Sequence, residues 1–298
     1  MSDFSFLIVF GVLLMYMLSV LGNLIIITVV CIAPQLHSPM YFFLCNLGVQ
    51  DIIYVSSILP KLVFVQITGD TSILFTSCII QMFVFAVCLD AEFFLLGAMG
   101  FDRYVAICVP LKYSLIMNKK ACLTLAFTSW SVGFLNALLF AFLISNLTFC
   151  DSRSIDHFFC EIKALMRLSC SDITHMNTII FVEGGLIGFF PFTMILTSYT
   201  FIIAAILKIR TSVGRTKAFS SCSSHLIVVL LFCGTSLSVY MKPESENSVG
   251  QDQILSLLYI AVVPALNPLV YSLRNREVLK VLQMCKENLV LKFFTEIQ

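Results

Sequence analysis

The sequence predicts an all-α membrane protein, built as a bundle of seven transmembrane helices. Hydrophobic residues make up 59% of the 298-residue chain and charged residues only 12%, whereas soluble domains carry about 25% charged residues. Seven apolar stretches are long enough to cross a bilayer, which takes about 20 residues of helix. Backbone amides in hydrocarbon must be bonded within their own segment, so we expect helices. We expect one membrane domain over residues 1–298 and no separate soluble domain.

The predicted helices follow one another with short connections. They cover residues 6–30, 38–62, 77–107, 121–144, 176–207, 219–241 and 252–272. The first run has no preceding Lys or Arg, so we interpret it as a membrane helix and not as a cleaved signal peptide. The third and fifth runs exceed one span and are expected to tilt or to project from the bilayer. After the seventh, the basic amphipathic segment at about 275–286 predicts a short helix on the inner membrane surface.

Basic residues predict the orientation of the bundle. With the N-terminus outside, 13 of the 18 Lys and Arg residues fall on the cytoplasmic side and 5 on the outer side, as the positive-inside rule requires. The C-terminus is then cytoplasmic. The formal net charge is only +1 and no basic run is present, so we expect no nucleic-acid partner.

Cysteine placement agrees with this orientation. Of the 12 cysteines, eight fall within helices or on the inner side, where thiols stay reduced. Cys78, Cys150, Cys160 and Cys170 face outward, and four cysteines allow three pairings. We favour Cys78 with Cys160, which ties the long outer loop across the mouth of the bundle, and Cys150 with Cys170. Free thiols are the alternative.

A polar centre is predicted among the helices. Ionisable groups at membrane depth are costly and mark function by default. One face of the third helix carries Phe85, Leu89, Glu92, Leu96, Met99 and Arg103 at steps of three and four. Asp51 is expected to meet Glu92, Asn23 and Asn267 there, sharing a proton or holding Na⁺. A polar cluster that only aligns helices is the alternative.

Six segments carry a family resemblance. They are LGNLIII (21–27), HSPMYFFLCNLGVQDI (37–52), MGFDRYVAIC (99–108), SY (198–199), KAFSSCSSHL (217–226) and PALNPLVYSLRN (264–275). Together and in this order they resemble the signature set of vertebrate olfactory receptors, in the rhodopsin-like class of G-protein-coupled receptors. The resemblance covers nearly the whole chain.

The resemblance implies a function. It indicates a plasma-membrane receptor, not an enzyme, that binds a small volatile or lipophilic odorant. Ligand binding would open the cytoplasmic side to a stimulatory, olfactory-type G protein and raise cyclic AMP. The expected partners are the odorant, the G protein and the lipid bilayer, and no cofactor is expected beyond a Na⁺ ion at Asp51 and Glu92.

The resemblance also assigns residues to activation. These are Asp102, Arg103, Tyr104, Tyr199, Lys217, Asn267, Pro268 and Tyr271. Asp102 is expected to hold Arg103 in the resting state. Activation would free Arg103 to face Tyr199 and Tyr271 while the sixth helix swings outward. Without the surrounding motifs, an interfacial Asp-Arg pair would be interpreted as a snorkelling anchor.

The ligand pocket is expected in the outer half, between the third, fifth, sixth and seventh helices. The matching positions are Phe85, Ala86, Leu89, Asp90, Glu183, Gly184, Ile187, Ser236, Leu237, Tyr240, Leu257 and Ile260. If Asp90 or Glu183 faces the cavity while ionised, the receptor should favour amines or hydrogen-bond donors. A protonated acid bonded to a neighbouring helix is the alternative, and for each apolar position so is ordinary helix packing.

Some features of the sequence depart from the pattern of the olfactory receptor family. Cys233 stands where family members usually carry Tyr, and only about five residues precede the first helix. The sequon at Asn146 lies at the mouth of the fourth helix, as a candidate glycosylation site.

A receptor of the same architecture for an amine or a peptide remains an alternative. A transporter or channel is disfavoured because the sequence has no internal repeat and no pore-lining ring.

Overall fold

The computed structural model confirms the all-α fold class. It describes residues 3–150, 154–241, 249–272, 278–281 and 283–284. In that part of the chain, seven helices are long and apolar enough to cross a membrane. The first four are α1 (Asp3–Ile32), α2 (Pro39–Thr68), α3 (Phe75–Cys108) and α4 (Lys119–Ser145).

Two of the last three membrane helices contain a π-helical turn. In α5, the α-helix Thr174–Glu183 passes through a π-turn, Gly184–Phe189, into the α-helix Phe190–Leu207. The helix α6 is Ser212–Tyr240. In α7, Val249–Leu257 passes through a π-turn, Leu258–Val262, into Val263–Ser272. Because a π-turn holds an extra residue, it shifts which side chains face the bundle beyond it.

Two helices are longer than the sequence predicted, because hydropathy marks the bilayer and not the end of a helix. The helix α2 continues to Thr68 and stops where Gly69 takes a φ of 74° and donates its N–H to the Val65 carbonyl. The helix α6 begins at Ser212, where the Thr211 hydroxyl accepts the Gly214 N–H. Within the predicted surface helix 275–286, residues 278–281 and 283–284 are helical, and the rest lie outside the described residues.

The helix α3 is the centre of the bundle. Its predicted inward face is buried from Phe85 to Met99. The closest neighbour is α4, where Gly133 meets the α3 backbone: a Cβ atom there would lie 2.5 Å from the Val87 carbonyl oxygen and 3.1 Å from the Ala91 nitrogen. This glycine therefore lets the two helix backbones approach each other directly.

Two disulfides lie at one end of the bundle, which we call the outer end; the end that carries Arg103 is the inner end. They join Cys78 to Cys160 and Cys150 to Cys170, the pairings that we favoured from the sequence. The outer loop is also tied to α6, since Lys163 Nζ donates to the Val239 carbonyl at 2.9 Å. The loop thus covers the outer mouth of the bundle.

Candidate functional site

A cavity lies in the outer half, between α3, α4, α5 and α6. Its lining includes predicted ligand residues from α3, α5 and α6. They are Phe85, Ala86, Leu89, Asp90, Glu183, Gly184, Ile187, Ser236, Leu237 and Tyr240. Small-ligand pockets are mostly apolar with a few polar groups, and the lining of this cavity fits that description.

Helix α4, and not α7, forms the remaining wall of this cavity. Leu257 and Ile260, the two predicted residues of α7, are not among its lining residues; Leu257 is exposed and Ile260 is buried elsewhere in the bundle. The π-turn Leu258–Val262 changes the register of α7 at this level. Lining residues that the sequence did not indicate are Phe93, Asn136, Phe140, Ile162, Ile180 and Gly188.

The polar corner of the cavity is a bridged pair of carboxyl groups. Asn136 Nδ2 on α4 donates to Asp90 Oδ2 on α3 at 2.7 Å and also to Glu183 Oε1 on α5. Asp90 is only 7% exposed. Both acids therefore bond to a neighbouring helix, as one predicted alternative had it, and both also line the cavity.

A second pair of ionisable groups lies in the outer loop above the bundle. His157 Nε2 and Glu161 Oε2 are 3.6 Å apart, and both side chains are almost fully buried. Burial raises the pKa of the Glu161 carboxyl to about 7. Burial also lowers the pKa of the His157 imidazole to about 4. Near neutral pH the imidazole is therefore uncharged, and the carboxyl is close to its own midpoint.

The predicted polar centre is present deeper in the bundle. Asp51 Oδ2 accepts hydrogen bonds from Asn23 Nδ2 at 3.2 Å and from Asn267 Nδ2 at 2.9 Å. Glu92 Oε2 accepts instead from Gln50 Nε2 at 2.9 Å. No hydrogen bond joins the two carboxyl groups in the described structure. Gln50 is the member that the sequence did not indicate.

Several oxygens of this centre have no hydrogen-bond partner in the described part of the chain. They are Asp51 Oδ1, Glu92 Oε1, Asn267 Oδ1 and Gln50 Oε1. Buried oxygens are costly to leave unpaired, and carboxylate and amide oxygens are the ligands of hard cations. The residues present therefore fit a small cation such as Na⁺.

At the inner end, Asp102 binds the arginine beside it. Arg103 Nε donates to Asp102 Oδ2 at 2.8 Å and Arg103 Nη2 forms an ion pair with the same oxygen. The Tyr113 hydroxyl, at the start of a short helix before α4, donates to Asp102 Oδ1 at 2.7 Å. Asp102 is fully buried. Each of its two carboxylate oxygens nevertheless accepts a hydrogen bond, Oδ2 from Arg103 and Oδ1 from Tyr113. Tyr113 was not indicated by the sequence.

The other predicted activation residues are spread over several helices. The Tyr199 hydroxyl donates to the Cys222 carbonyl at 3.1 Å, and Tyr271 is buried with its hydroxyl unpartnered among the described residues. The Tyr104 ring centroid lies 6.1 Å from that of Phe201. Pro268 packs against α1 at Gly22, where an added Cβ atom would lie 2.7 Å from the Cβ atom of Pro268. The side chain of Lys217 lies outside the described residues.

The structure also gives the location and the exposure of Asn146 and Cys233, two further positions singled out in the sequence. Asn146 ends α4 and is exposed, with its amide nitrogen donating to the Phe142 carbonyl at 2.8 Å. Cys233 is fully buried in α6. A thiol there leaves no side-chain hydroxyl at the position where family members usually have Tyr.

Comparison with known proteins identifies the family. A family model described as olfactory receptor matches residues 12–288. Olfactory receptor 1E2 of Gorilla gorilla gorilla is 44% identical over 276 residues, covering 92% of this chain and 88% of that receptor. Olfactory receptor 8D1 of Homo sapiens is 44% identical over 269 residues, covering 90% and 87% of the two chains. Olfactory receptor 2B6 of Mus musculus is 46% identical over 263 residues, covering 88% and 84%. The chain therefore belongs to the olfactory receptor family, as a G-protein-coupled receptor and not an enzyme.

Proposed function

We propose that this receptor binds a small lipophilic odorant in its outer cavity and activates a stimulatory, olfactory-type G protein at its inner end, raising cyclic AMP. The observation that carries the proposal is the cavity itself. Its apolar walls and single bridged acid pair suit a small ligand with one polar group.

Helices α3 and α6 are the route from the cavity to the inner end. Phe85 and Leu89 line the cavity, and Arg103 lies further along the same face of α3. Leu237 brings α6 to the same cavity. A ligand shifts an equilibrium between two states only through contacts that differ between them. We infer that the odorant changes how α6 packs on α3, and that Arg103 leaves Asp102 as α6 moves outward.

The N-terminus is proposed to be extracellular and the receptor to lie in the plasma membrane. The excess of Lys and Arg on the inner side supports this orientation. The two disulfides support it as well, since they lie together at the outer end, and disulfides persist in oxidising surroundings.

A Na⁺ ion is proposed at the polar centre. Asp51 and Glu92 would hold it, with amide oxygens of Asn267 and Gln50 completing the shell. Such an ion would supply positive charge among buried acids and so stabilise the resting packing of α2, α3 and α7. The unpartnered oxygens of these side chains support the assignment.

A cyclic AMP screen of chemically diverse volatiles tests the function. Cells would express the parent, the variant Arg103→Ala and the control Lys119→Ala, which changes an exposed basic residue at the start of α4. Surface display of each is measured by antibody. We expect agonists on the parent and the control and no response from Arg103→Ala. An equal response from Arg103→Ala, at matched surface levels, would contradict the proposed role of the inner end.

A further inference from the structure

The bridged acid pair brings to the cavity oxygens that accept no hydrogen bond from the described residues. The amide nitrogen of Asn136 has two hydrogens, and its two bonds to Asp90 and Glu183 use both. Asp90 Oδ1, Glu183 Oε2 and Asn136 Oδ1 have no donor among the described residues. These three residues all line the cavity. Asp90, which is only 7% exposed, and Glu183 therefore each bring a carboxyl group to the lining of the space that a ligand would fill.

The rest of the lining offers the acids no counter-charge. None of the described lining residues is Lys, Arg or His. The Ser236 hydroxyl gives its hydrogen to the Phe232 carbonyl at 2.7 Å, so it is not a donor to the cavity. Two carboxylates that share one amide nitrogen repel each other in a site of low dielectric constant, and a proton or a cation relieves that repulsion.

A protonated primary amine matches this corner. Its ammonium group has three N–H donors and no acceptor, which suits the free oxygens of Asp90, Glu183 and Asn136. Its alkyl chain would lie against the apolar walls formed by Phe93 and Leu237. An ester would instead bring only acceptor oxygens against acceptors, a carboxylate would add a further negative charge, and an alcohol would bring one donor and no charge.

We propose that the outer cavity selects primary aliphatic amines, recognised by the Asp90 and Glu183 carboxyl groups that Asn136 holds together. The inference rests on the proposed function only in taking this cavity as the ligand site. An amine that enters as the free base takes a proton from the acid pair: an N–H bond forms, a carboxyl O–H bond breaks, and an ammonium–carboxylate pair remains. If the amine is already protonated when it enters, its ammonium group forms an ion pair with the carboxylate of Asp90 or Glu183.

The experiment measures binding directly on the full-length receptor, purified and reconstituted in lipid nanodiscs. Hexylamine, hexanol, hexanal and hexanoic acid are titrated while the thermal unfolding midpoint is recorded, because a ligand of the folded state raises that midpoint with concentration. The variants are Asp90→Asn and Glu183→Gln. Asp70→Asn is the matched control, since Asp70 is an exposed acid in the turn after α2, outside the cavity.

We expect hexylamine to bind the parent and Asp70→Asn at least about tenfold more tightly than hexanol, because a hydrogen bond to a charged group contributes more than a neutral one. Each acid variant should lose about tenfold in hexylamine affinity and keep its affinity for hexanol. The comparison of ligands on the parent alone remains decisive if a variant fails to fold.

Equal binding of hexanol or hexanal and hexylamine to the parent would overturn the amine assignment and leave the receptor function standing. Unchanged hexylamine affinity in both acid variants would overturn it too. If hexylamine binds as expected and cyclic AMP does not rise in cells, the ligand assignment holds and the proposed coupling fails.

Discussion

The Tyr199 hydroxyl lies 2.8 Å from His225 Nδ1, a contact that joins α5 to α6 in the inner half of the bundle. The other ring nitrogen, Nε2, lies 3.1 Å from the Leu96 carbonyl oxygen of α3. The imidazole is fully buried, so one side chain links three helices. Because the proposed activation moves α6 away from α3, we infer that His225 favours the resting state.

Replacing His225 by Ala should therefore raise signalling in the absence of agonist. Losing about 1 kcal/mol of resting-state stabilisation would raise the active population roughly fivefold. Basal cyclic AMP per receptor at the surface is the measurement, with Thr197→Ala, an exposed position on α5, as the control. Basal signalling that stays at the parental level, or falls, would contradict this role for His225.

Gly133 provides a test of the packing between α3 and α4. A methyl group there meets backbone atoms of α3, which cannot rotate away, so Gly133→Ala should destabilise the receptor by about 1–3 kcal/mol. Gly97→Ala is the matched control, because a Cβ at that position has no contact within 4 Å. The thermal unfolding midpoint of the purified receptor should fall for the first variant only. Equal midpoints for both variants would show that the close approach is not required.

The polar centre makes a prediction about sodium. A bound ion stabilises the folded state by an amount that grows with the logarithm of its concentration once that concentration exceeds its dissociation constant. The unfolding midpoint of the parent should thus be higher in sodium chloride than in choline chloride at equal ionic strength. Asp51→Asn and Glu92→Gln should lose this sodium-specific increment and change basal signalling. If both variants keep the full increment, the cluster only aligns helices.

Glu161 makes a prediction about pH. Its folded-state pKa of about 7 lies above its ordinary value of 4.5, so the folded state binds this proton more tightly than the unfolded state. The stabilisation is complete below pH 4.5 and is lost as pH rises through about 7. The full effect corresponds to up to roughly 3 kcal/mol.

The measurement compares the unfolding midpoint of the parent with that of Glu161→Gln across this pH range. The groups that face the carboxyl are His157, Lys163, Arg167, Tyr240 and Asp252, and they are the same in both proteins. The parent should lose stability relative to the variant as pH rises. Parallel curves for the two proteins would contradict the burial effect on this carboxyl.

Local patterns were sufficient to predict much of this receptor. The seven spans follow from long apolar runs, and the buried face of α3 follows from helical spacing, because neither depends on distant contacts. The placement of four cysteines on the outer side left three possible pairings, and the one that we favoured, which ties the outer loop across the mouth of the bundle, is present. Asp51, Asn23 and Asn267 meet as expected, since polar groups in a bilayer seek one another.

The contacts that the sequence did not predict depend on how the helices pack against one another. Asn136 became part of the cavity because Gly133, one turn earlier, brings α4 against the α3 backbone. Ile260 was misplaced because the π-turn in α7 changes the register, and no periodic pattern announces an extra residue in a turn. Tyr113 begins the short helix Tyr113–Ile116 between α3 and α4, where its contact with Asp102 is set by tertiary structure alone.

The most direct test of the central claim is nucleotide exchange on a purified stimulatory G protein, with the receptor in nanodiscs and an agonist identified in the cyclic AMP screen. The account predicts that agonist accelerates exchange with the parent receptor and not with Arg103→Ala. It also predicts that agonist binds both proteins equally, because Arg103 lies at the inner end, away from the cavity. Agonist that binds the parent without accelerating exchange, or that accelerates it equally through Arg103→Ala, would contradict the account.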